Sequence, residues 1–289
     1  MKDLRIDFHC HIFRSIDSFN YIQKQFPEFS GYGFYERIKD NVKKIDTIDT
    51  DDIIEKTLFH IKQAELDKVI LLPLSIKENE KVVEWKKRAP NIFIPFYNPP
   101  ERPIQGIDVK KMMNNAIEKD GIKGLKIMNP FREKYLNDPI LEESFKIAQQ
   151  YELLILMHTG YPPPGTKKNV LTYANPLKIE DIIHKYPELK IIIAHMGFPW
   201  VDSALSLAVQ YPNIYVDISN LTYMMPTRLQ DFVLRAKELI GIDKILFGSD
   251  GFVPEMIEMT VNYFKNIDYL SKSEIDKILG LNAKKLLNI

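Results

Sequence analysis

The clearest chemical pattern in the sequence is a pair of histidines two residues apart near its start. His9 ends the segment Leu4–His9, whose residue types are those of a buried strand, and His11 follows two residues later. Residues two apart on a strand face the same side, and two imidazoles at this spacing can bind one metal ion. Asp7 is placed to orient one of these rings through a hydrogen bond.

Three further side chains that can bind a metal follow later strand-like segments. His158 ends LLILMH, His195 ends IIIAH and Asp250 ends ILFGSD. The chain has only six histidines, and four of them stand at predicted strand ends. In a barrel of parallel strands the carboxyl ends all reach one rim, so the sequence predicts that these side chains share a site.

The elements that would position these residues repeat along the chain. After the first strand, the strand-like segments begin about 29 residues apart on average, close to one strand–helix unit of a (β/α)8 barrel. Several segments are continuously apolar, as is typical of parallel strands that are covered on both faces. The sequence therefore predicts an α/β fold, a TIM barrel that forms one domain over residues 1–289. The predicted strands are Leu4–His9, Lys68–Pro73, Asn91–Asn98, Ile122–Met128, Glu152–His158, Lys190–His195, Asn213–Asp217 and Lys244–Asp250.

Helix-start signals lie between the predicted strands. Asp138-Pro139 and Asn175-Pro176 each place a capping side chain before a proline, which fits the first position of a helix. Thr227 and Gln230 have the spacing of a capping box, which predicts a helix start at that point.

A long insertion, residues 12–50, follows the first strand. It holds eight of the 32 aromatic residues, far more than its share. So long a structureless loop would be unusual inside a compact domain, so we predict that it packs as a lid or as a subunit contact, which leaves a homodimer open. Its aromatic residues are Phe13, Phe19, Tyr21, Phe26, Phe29, Tyr32, Phe34 and Tyr35.

The composition excludes several classes of partner. Lys and Arg number 39 and Asp and Glu also number 39, so there is no excess of positive charge for nucleic acid or an anionic membrane. No apolar run approaches the ~20 residues of a membrane span, and acidic residues precede the first apolar stretch, unlike in a signal peptide. The single cysteine, Cys10, fits a reducing compartment, so we expect a cytoplasmic protein. The partner that we expect is a small-molecule substrate.

Together these motifs resemble those of the amidohydrolase superfamily, in the branch that includes amino-carboxymuconate-semialdehyde decarboxylase. The resemblance runs along essentially the whole chain, through IDFHCH, HTG, IIIAHMG, YVDIS, FGSD and ILGLNAKKLL. It implies that His9, His11, His158 and Asp250 bind a divalent cation, zinc or another transition metal. One ion is expected and a second is left open. The resemblance also implies that His195 is the catalytic imidazole or a ligand of a second ion.

The residue types agree with hydrolytic chemistry. Imidazole and carboxylate groups suit a catalytic metal, which lowers the pKa of bound water. Asp250 can take up the proton that this water loses. His195 can polarise the carbonyl of the substrate. We therefore predict hydrolysis of an amide, lactone or ester bond of a small molecule, without an organic cofactor, and an acidic substrate is left open. The alternative is decarboxylation of an unsaturated or aromatic carboxylic acid. A metal-binding scaffold without turnover is a third hypothesis.

For two basic residues, Lys126 and Arg14, the sequence leaves several alternative roles open. Lys126, in GLKIM, faces the barrel interior by strand parity. In some superfamily members a carbamylated lysine of the fourth strand bridges two metals, but Lys126 could equally bind a substrate carboxylate or pair with Asp217. Arg14 follows the histidine pair and could bind an acidic substrate, although a surface arginine is the simpler interpretation.

Overall fold

The computed structural model describes residues 4–25, 27, 30–162 and 166–289. In the described residues one sheet of eight strands runs in the order β1-β2-β3-β4-β5-β6-β7-β8, which is the strand order of a (β/α)8 barrel. The predicted fold class is therefore confirmed, including the long insertion after the first strand. The strands are β1 Ile6–His11, β2 Lys68–Leu72, β3 Phe93–Tyr97, β4 Gly124–Ile127, β5 Leu154–Met157, β6 Ile191–Ile193, β7 Ile214–Asp217 and β8 Ile245–Leu246.

Helices lie between the strands, as the repeated strand–helix pattern predicts. None of the helices in the described residues has the length and apolar character that crossing a membrane requires. The α-helices are α1 Ser18–Gln25, α2 Gly33–Val42, α3 Ile53–Gln63, α4 Asn79–Arg88, α5 Val109–Asn115, α6 Glu142–Gln150, α7 Val170–Tyr173, α8 Ile179–Lys185, α9 Val201–Gln210, α10 Leu221–Met224, α11 Pro226–Ile240, α12 Glu255–Lys265, α13 Lys272–Asp276 and α14 Asn282–Leu287.

The chain divides into two compact units. Unit 1 takes in the described residues up to Ile70 together with Ile218–Ile289, and unit 2 takes in Leu71–Pro162 and Thr166–Asp217. The single domain over residues 1–289 stays a prediction.

Unit 2 is built on strands β3 to β7, which pair in parallel. Leu125 of β4 lies opposite Ile155 of β5, and Ile193 of β6 lies opposite Val216 of β7. All four side chains are buried, because helices cover the outer face of such a barrel and packed side chains fill its interior. The strand ends that carry the predicted histidines are therefore rigidly placed within this unit.

Unit 1 contains β1 and β8. The backbone N–H of Phe8 donates to the carbonyl of Phe247 at 2.9 Å, which sets the chain at the end of β8 beside β1. The N–H of Ile218 donates to the carbonyl of Leu246 at 3.0 Å. The segments after β1, β7 and β8 are thereby brought together inside this unit.

The insertion belongs to unit 1 and packs against the rest of that unit through helices α1 and α2. Ile22 of α1 and Ile38 of α2 form one buried apolar cluster with Tyr223, Val253 and Met256. The insertion is thus packed rather than structureless. Phe26 and Phe29 lie outside the described residues, and its predicted roles as a lid or as a subunit contact stay predictions.

A buried ion pair holds the beginning of the insertion. Lys56 of α3 lies 2.6 Å from a carboxylate oxygen of Glu255, the first residue of α12. The same ammonium donates to the carbonyl of Ile16 at 2.6 Å, and the hydroxyl of Ser18 donates to Glu255 at 2.6 Å. Because both charges are buried, each needs these partners to offset the loss of water.

The helix-start signals have mixed outcomes. Asp138 and Asn175 each cap, as predicted, by accepting from the N–H two residues ahead, but each cap opens a single 3-10 turn. The capping box predicted at Thr227 is wrong. Helix α11 begins earlier, at Pro226, and Met225 makes no side-chain cap. Proline has the backbone angle of a helix already fixed, so the helix starts two residues earlier than the capping box predicts.

Candidate metal centre

Three of the predicted metal ligands meet within unit 1. The Nε2 atoms of His9 and His11 lie 3.3 Å apart. Oδ1 of Asp250 lies 3.5 Å from Nε2 of His9 and 3.2 Å from Nε2 of His11. The three atoms form a nearly equilateral triangle, although Asp250 stands 239 residues after His11 in the chain.

The size of this triangle fits a divalent metal ion. Donor atoms placed tetrahedrally at about 2.1 Å from zinc are about 3.4 Å from one another. The donor set, two imidazoles and one carboxylate, is also the type that zinc and related transition metals prefer. His9 is fully buried and His11 and Asp250 are partly exposed, so the group is accessible from one side. Three protein ligands with an open position are typical of a catalytic rather than a structural site.

Strand β1 and the segment after β7 set the ring of His9. Ser219 Oγ lies 3.0 Å from Nδ1 of His9. A ring that binds metal through Nε2 carries its proton on Nδ1, so this hydroxyl would accept that proton and fix the ring's orientation. Sequence reasoning missed Ser219, although it lies in YVDIS at the end of a strand.

The role predicted for Asp7 is wrong in one respect. Its Oδ1 accepts from the backbone N–H of His9 and from that of Ser249, both at 3.0 Å, and not from an imidazole. Asp7 therefore ties the backbone at the end of β1 to the segment after β8. Burial raises the pKa of Asp7 to about 7, although its hydrogen bonds to Ser249 act in the opposite direction.

We predict that Ser219→Ala weakens metal binding. Without the hydroxyl the ring of His9 turns more freely, and partners of this kind typically account for about 10- to 100-fold in metal affinity. Titration of the metal-free protein with Zn²⁺ measures the change. Ser206→Ala, which removes an exposed hydroxyl from α9, is the matched control and should leave the affinity unchanged. An affinity equal to that of the wild type would remove Ser219 from this role.

The backbone of Asp250 is held in an uncommon conformation. Its φ is 46°, in the left-handed region that few residues other than glycine adopt. Its N–H donates to the carbonyl of His9 at 2.7 Å, and the hydroxyl of Tyr223 donates to its carbonyl at 2.7 Å. The side-chain amide of Asn220 donates to Oδ2 at 3.3 Å. These contacts leave Oδ1 directed at the two imidazoles.

Unit 2 brings together the other two predicted histidines. The ring centroids of His158 and His195 lie 5.3 Å apart at an interplanar angle of 69°. The N–H of His195 donates to Oδ1 of Asp217 at 2.9 Å, and His195 has a φ of 56°. Asp217 therefore fixes the backbone of His195 after β6. That His158 is a ligand of the same ion, and that His195 is catalytic, stay predictions.

Gly160 allows close contact between the loop that follows His158 and the loop that follows His195. Its φ is +75°, and a Cβ at this position would lie 1.7 Å from the carbonyl oxygen of Phe198. We predict that Gly160→Ala lowers the free energy of unfolding by about 3 kcal/mol, since overpacking and the positive φ both oppose it. Gly121→Ala is the control, because its φ is +66° but a Cβ there meets nothing within 4 Å. Denaturant unfolding that shows equal losses in both variants would contradict the steric argument.

The two basic candidates lie in different surroundings. Lys126 is fully buried on β4, and its carbonyl accepts from the side-chain amide of Asn98 at 3.0 Å. Its neighbours Leu125 and Ile127 are buried as well, so the interior-facing side chain stays a prediction. Arg14 is exposed after β1, which agrees with a surface position. A bridging or substrate-binding role for either residue stays a prediction.

The family follows from the whole chain. The sequence profile of the amidohydrolase family matches residues 6–289, so the protein belongs to this family and is a metal-dependent enzyme of the amidohydrolase superfamily. The chain is also 27% identical, over 153 residues, to Protein fluG of Emericella nidulans. That match covers 50% of this chain and only 17% of fluG.

Solved structures share the fold along nearly their full length. An uncharacterised TIM-barrel protein from Bordetella bronchiseptica is 20% identical with a TM-score of 0.73, and 98% of each chain is covered. A dihydroxybenzoic acid decarboxylase from Polaromonas sp. JS666, with bound manganese and 2-nitroresorcinol, is 15% identical with a TM-score of 0.67 over 99% of this chain and 97% of its own. Others include further decarboxylases, a hydratase and a putative metal-dependent hydrolase. At these identities the likeness establishes the fold alone.

Proposed function

We propose that the protein is a metal-dependent hydrolase that cleaves an amide, lactone or ester bond of a small molecule, acidic molecules included. The observation that carries this proposal is the triangle of His9, His11 and Asp250, whose donor atoms are 3.2 to 3.5 Å apart. The family membership supports it, because the matching profile is that of amidohydrolases. A divalent cation at this site supplies a Lewis acid and lowers the pKa of water.

The chain's own residues account for the proton transfers. Asp250 accepts the proton that water loses as its oxygen joins the carbonyl carbon, and returns it to the departing nitrogen or oxygen. Asn220 donates to Oδ2 at 3.3 Å and so holds the carboxylate in position for this exchange. Ser219 keeps Nε2 of His9 directed at the metal position.

Decarboxylation is the second candidate, and a specific observation favours it. Several of the structures that share the fold over nearly their full length are decarboxylases of aromatic acids. In this reaction the bond between the carboxylate and its neighbouring carbon breaks, carbon dioxide leaves, and that carbon takes a proton. Asp250 is the residue that we propose as the donor of that proton.

The metal is zinc or manganese in this proposal. Two imidazoles and a carboxylate suit zinc, while carboxylate and water also suit manganese. Manganese is the metal bound in the decarboxylase from Polaromonas. Metal analysis of the purified protein, followed by removal with a chelator and addition of each ion in turn, identifies the one that restores activity.

One assay in water enriched in ¹⁸O distinguishes the two reactions. Hydrolysis places one labelled oxygen in the acid product, whereas decarboxylation releases carbon dioxide and leaves no labelled oxygen in the remaining product. Small lactones, amides, esters and aromatic acids are the compounds to test. Asp268→Asn, an exposed carboxylate, is the control variant, and it should retain full activity. A metal-loaded protein that turns over none of these classes would instead favour the binding scaffold.

The roles proposed for His158 and His195 have a separate test. His158→Ala is expected to weaken metal binding if His158 is a ligand. His195→Ala is expected to lower kcat, with metal affinity unchanged, if His195 polarises the substrate. Measuring both quantities in both variants assigns each histidine to one role.

A further inference from the structure

Helix α10 stands between the insertion and the carboxylate of the candidate metal centre. Tyr223 in this helix donates its hydroxyl to the carbonyl of Asp250 at 2.7 Å. Asn220, which precedes the helix, donates to Oδ2 of Asp250 at 3.3 Å. The backbone and the side chain of Asp250 are thus held by α10 and by the residue that precedes it.

The insertion in turn holds α10 by its carboxyl end. Arg37 of α2 donates through Nε to the carbonyl of Tyr223 at 3.2 Å and through Nη2 to the carbonyl of Met224 at 2.7 Å. The last carbonyls of a helix have no partner within it, and a positive charge at this end is favourable. A guanidinium fits the position because its donors lie in a fixed plane.

Apolar packing adds to this connection. Tyr35, Ile38 and Val42 of α2 lie in the same buried cluster as Tyr223. The ring of Tyr223 is 4% exposed, so the side chain has little room to change its rotamer. Moving α2 would therefore move the hydroxyl that holds Asp250.

We propose that Arg37 and Tyr223 are positioning residues, through which the insertion sets the orientation of Asp250 and hence the metal affinity of the centre. The φ of 46° at Asp250 explains why such support is needed, because a strained backbone persists only where its surroundings hold it. The insertion is then part of the metal centre's framework. This inference rests on the proposed function, since it takes Asp250 as a metal ligand.

The experiment measures binding of Co²⁺ and Zn²⁺ to the full-length metal-free protein. Tyr223→Phe removes only a hydroxyl, and Arg37→Ala removes both donors to α10. Each is expected to weaken metal binding about tenfold or more and to shift the visible spectrum of bound Co²⁺, which reports ligand geometry. Arg37→Lys should recover part of the affinity. Arg235→Ala, an exposed arginine of α11, is the control and should bind like the wild type.

The double variant provides a second criterion. Because Arg37 acts through Tyr223, the combined loss of affinity is expected to be smaller than the product of the two single losses. A merely structural effect would lower the thermal stability of the metal-free protein without changing the Co²⁺ spectrum. If Arg37→Ala fails to fold, Arg37→Lys and Tyr223→Phe carry the test.

The outcomes separate this inference from the proposed function. If the wild type binds neither ion at one per chain, the metal centre itself is wrong. If the wild type binds and Asp250→Asn does not, while Tyr223→Phe and the Arg37 variants match the wild type in affinity and spectrum, the centre stands and the positioning role is overturned.

Discussion

Replacing Asp250 by asparagine is expected to abolish both metal binding and activity. The amide keeps the shape of the side chain but lacks the negative charge that faces the two imidazoles at 3.2 and 3.5 Å. Residues that only orient a ligand account for about 10- to 100-fold in metal affinity, so loss of a ligand should cost at least about 100-fold. Loss of proton transfer adds about 10²- to 10⁴-fold in rate.

The control for this variant has two parts. Asp268→Asn removes an exposed carboxylate and should retain wild-type metal content and kcat. Unfolding of Asp250→Asn without metal should match that of the metal-free wild type, since the fold does not depend on this partly exposed carboxylate. An Asp250→Asn protein that keeps its metal and its activity would remove Asp250 from the mechanism.

Gly248→Ala is expected to disrupt the same centre by crowding. A Cβ at position 248 would lie 2.4 Å from Cβ of His9 and 3.2 Å from its Cα. These atoms belong to a buried strand and cannot turn away, so the backbone of β1 must shift and carry the imidazole with it. A displacement of about 1 Å at a catalytic group can cost about 100-fold in activity. We expect a loss of this size in kcat/KM, with a comparable fall in Zn²⁺ affinity.

Gly241→Ala is the matched control for the effect of adding a methyl group. Its φ is +74°, so alanine is strained there, but a Cβ would meet nothing within 4 Å. This variant should lose about 1 kcal/mol of stability and keep its metal affinity. A Gly248→Ala protein with normal affinity would show that the end of β1 is more adaptable than its burial implies.

Strand geometry explains why part of the centre could be predicted from the sequence. The two-residue spacing of His9 and His11 places both rings on one side of any strand. Asp250 could be added because the carboxyl ends of parallel strands share one edge of a sheet. Both arguments require only the strand pattern, which continuous apolar segments such as KIII make visible. The strand order was predictable for the same reason.

The supporting contacts could not be predicted in the same way. Ser219 and Asn220 follow β7 as Asp250 follows β8, so the rule that selected Asp250 also applied to them, but their partners depend on how the chain turns after the strand. Arg37 binds backbone carbonyls, which every residue has, so no residue type in the sequence marks its target. Asp7 was predicted correctly as a supporting residue but with the wrong donor, because a carboxylate on a strand can accept from an imidazole or from a backbone N–H equally well.

The buried pair of Lys56 and Glu255 affects how this protein can be engineered. Its two members come from helices outside residues 12–50, yet they bind Ile16 and Ser18 inside that segment. A chimera that receives this segment from another barrel would lose the Ser18 hydroxyl that contacts both members of the pair, and it would keep the carbonyl at position 16 only if the new backbone follows the same path. Transplantation of the segment should therefore cost less stability when serine is kept at position 18, or when positions 56 and 255 are exchanged together with the segment.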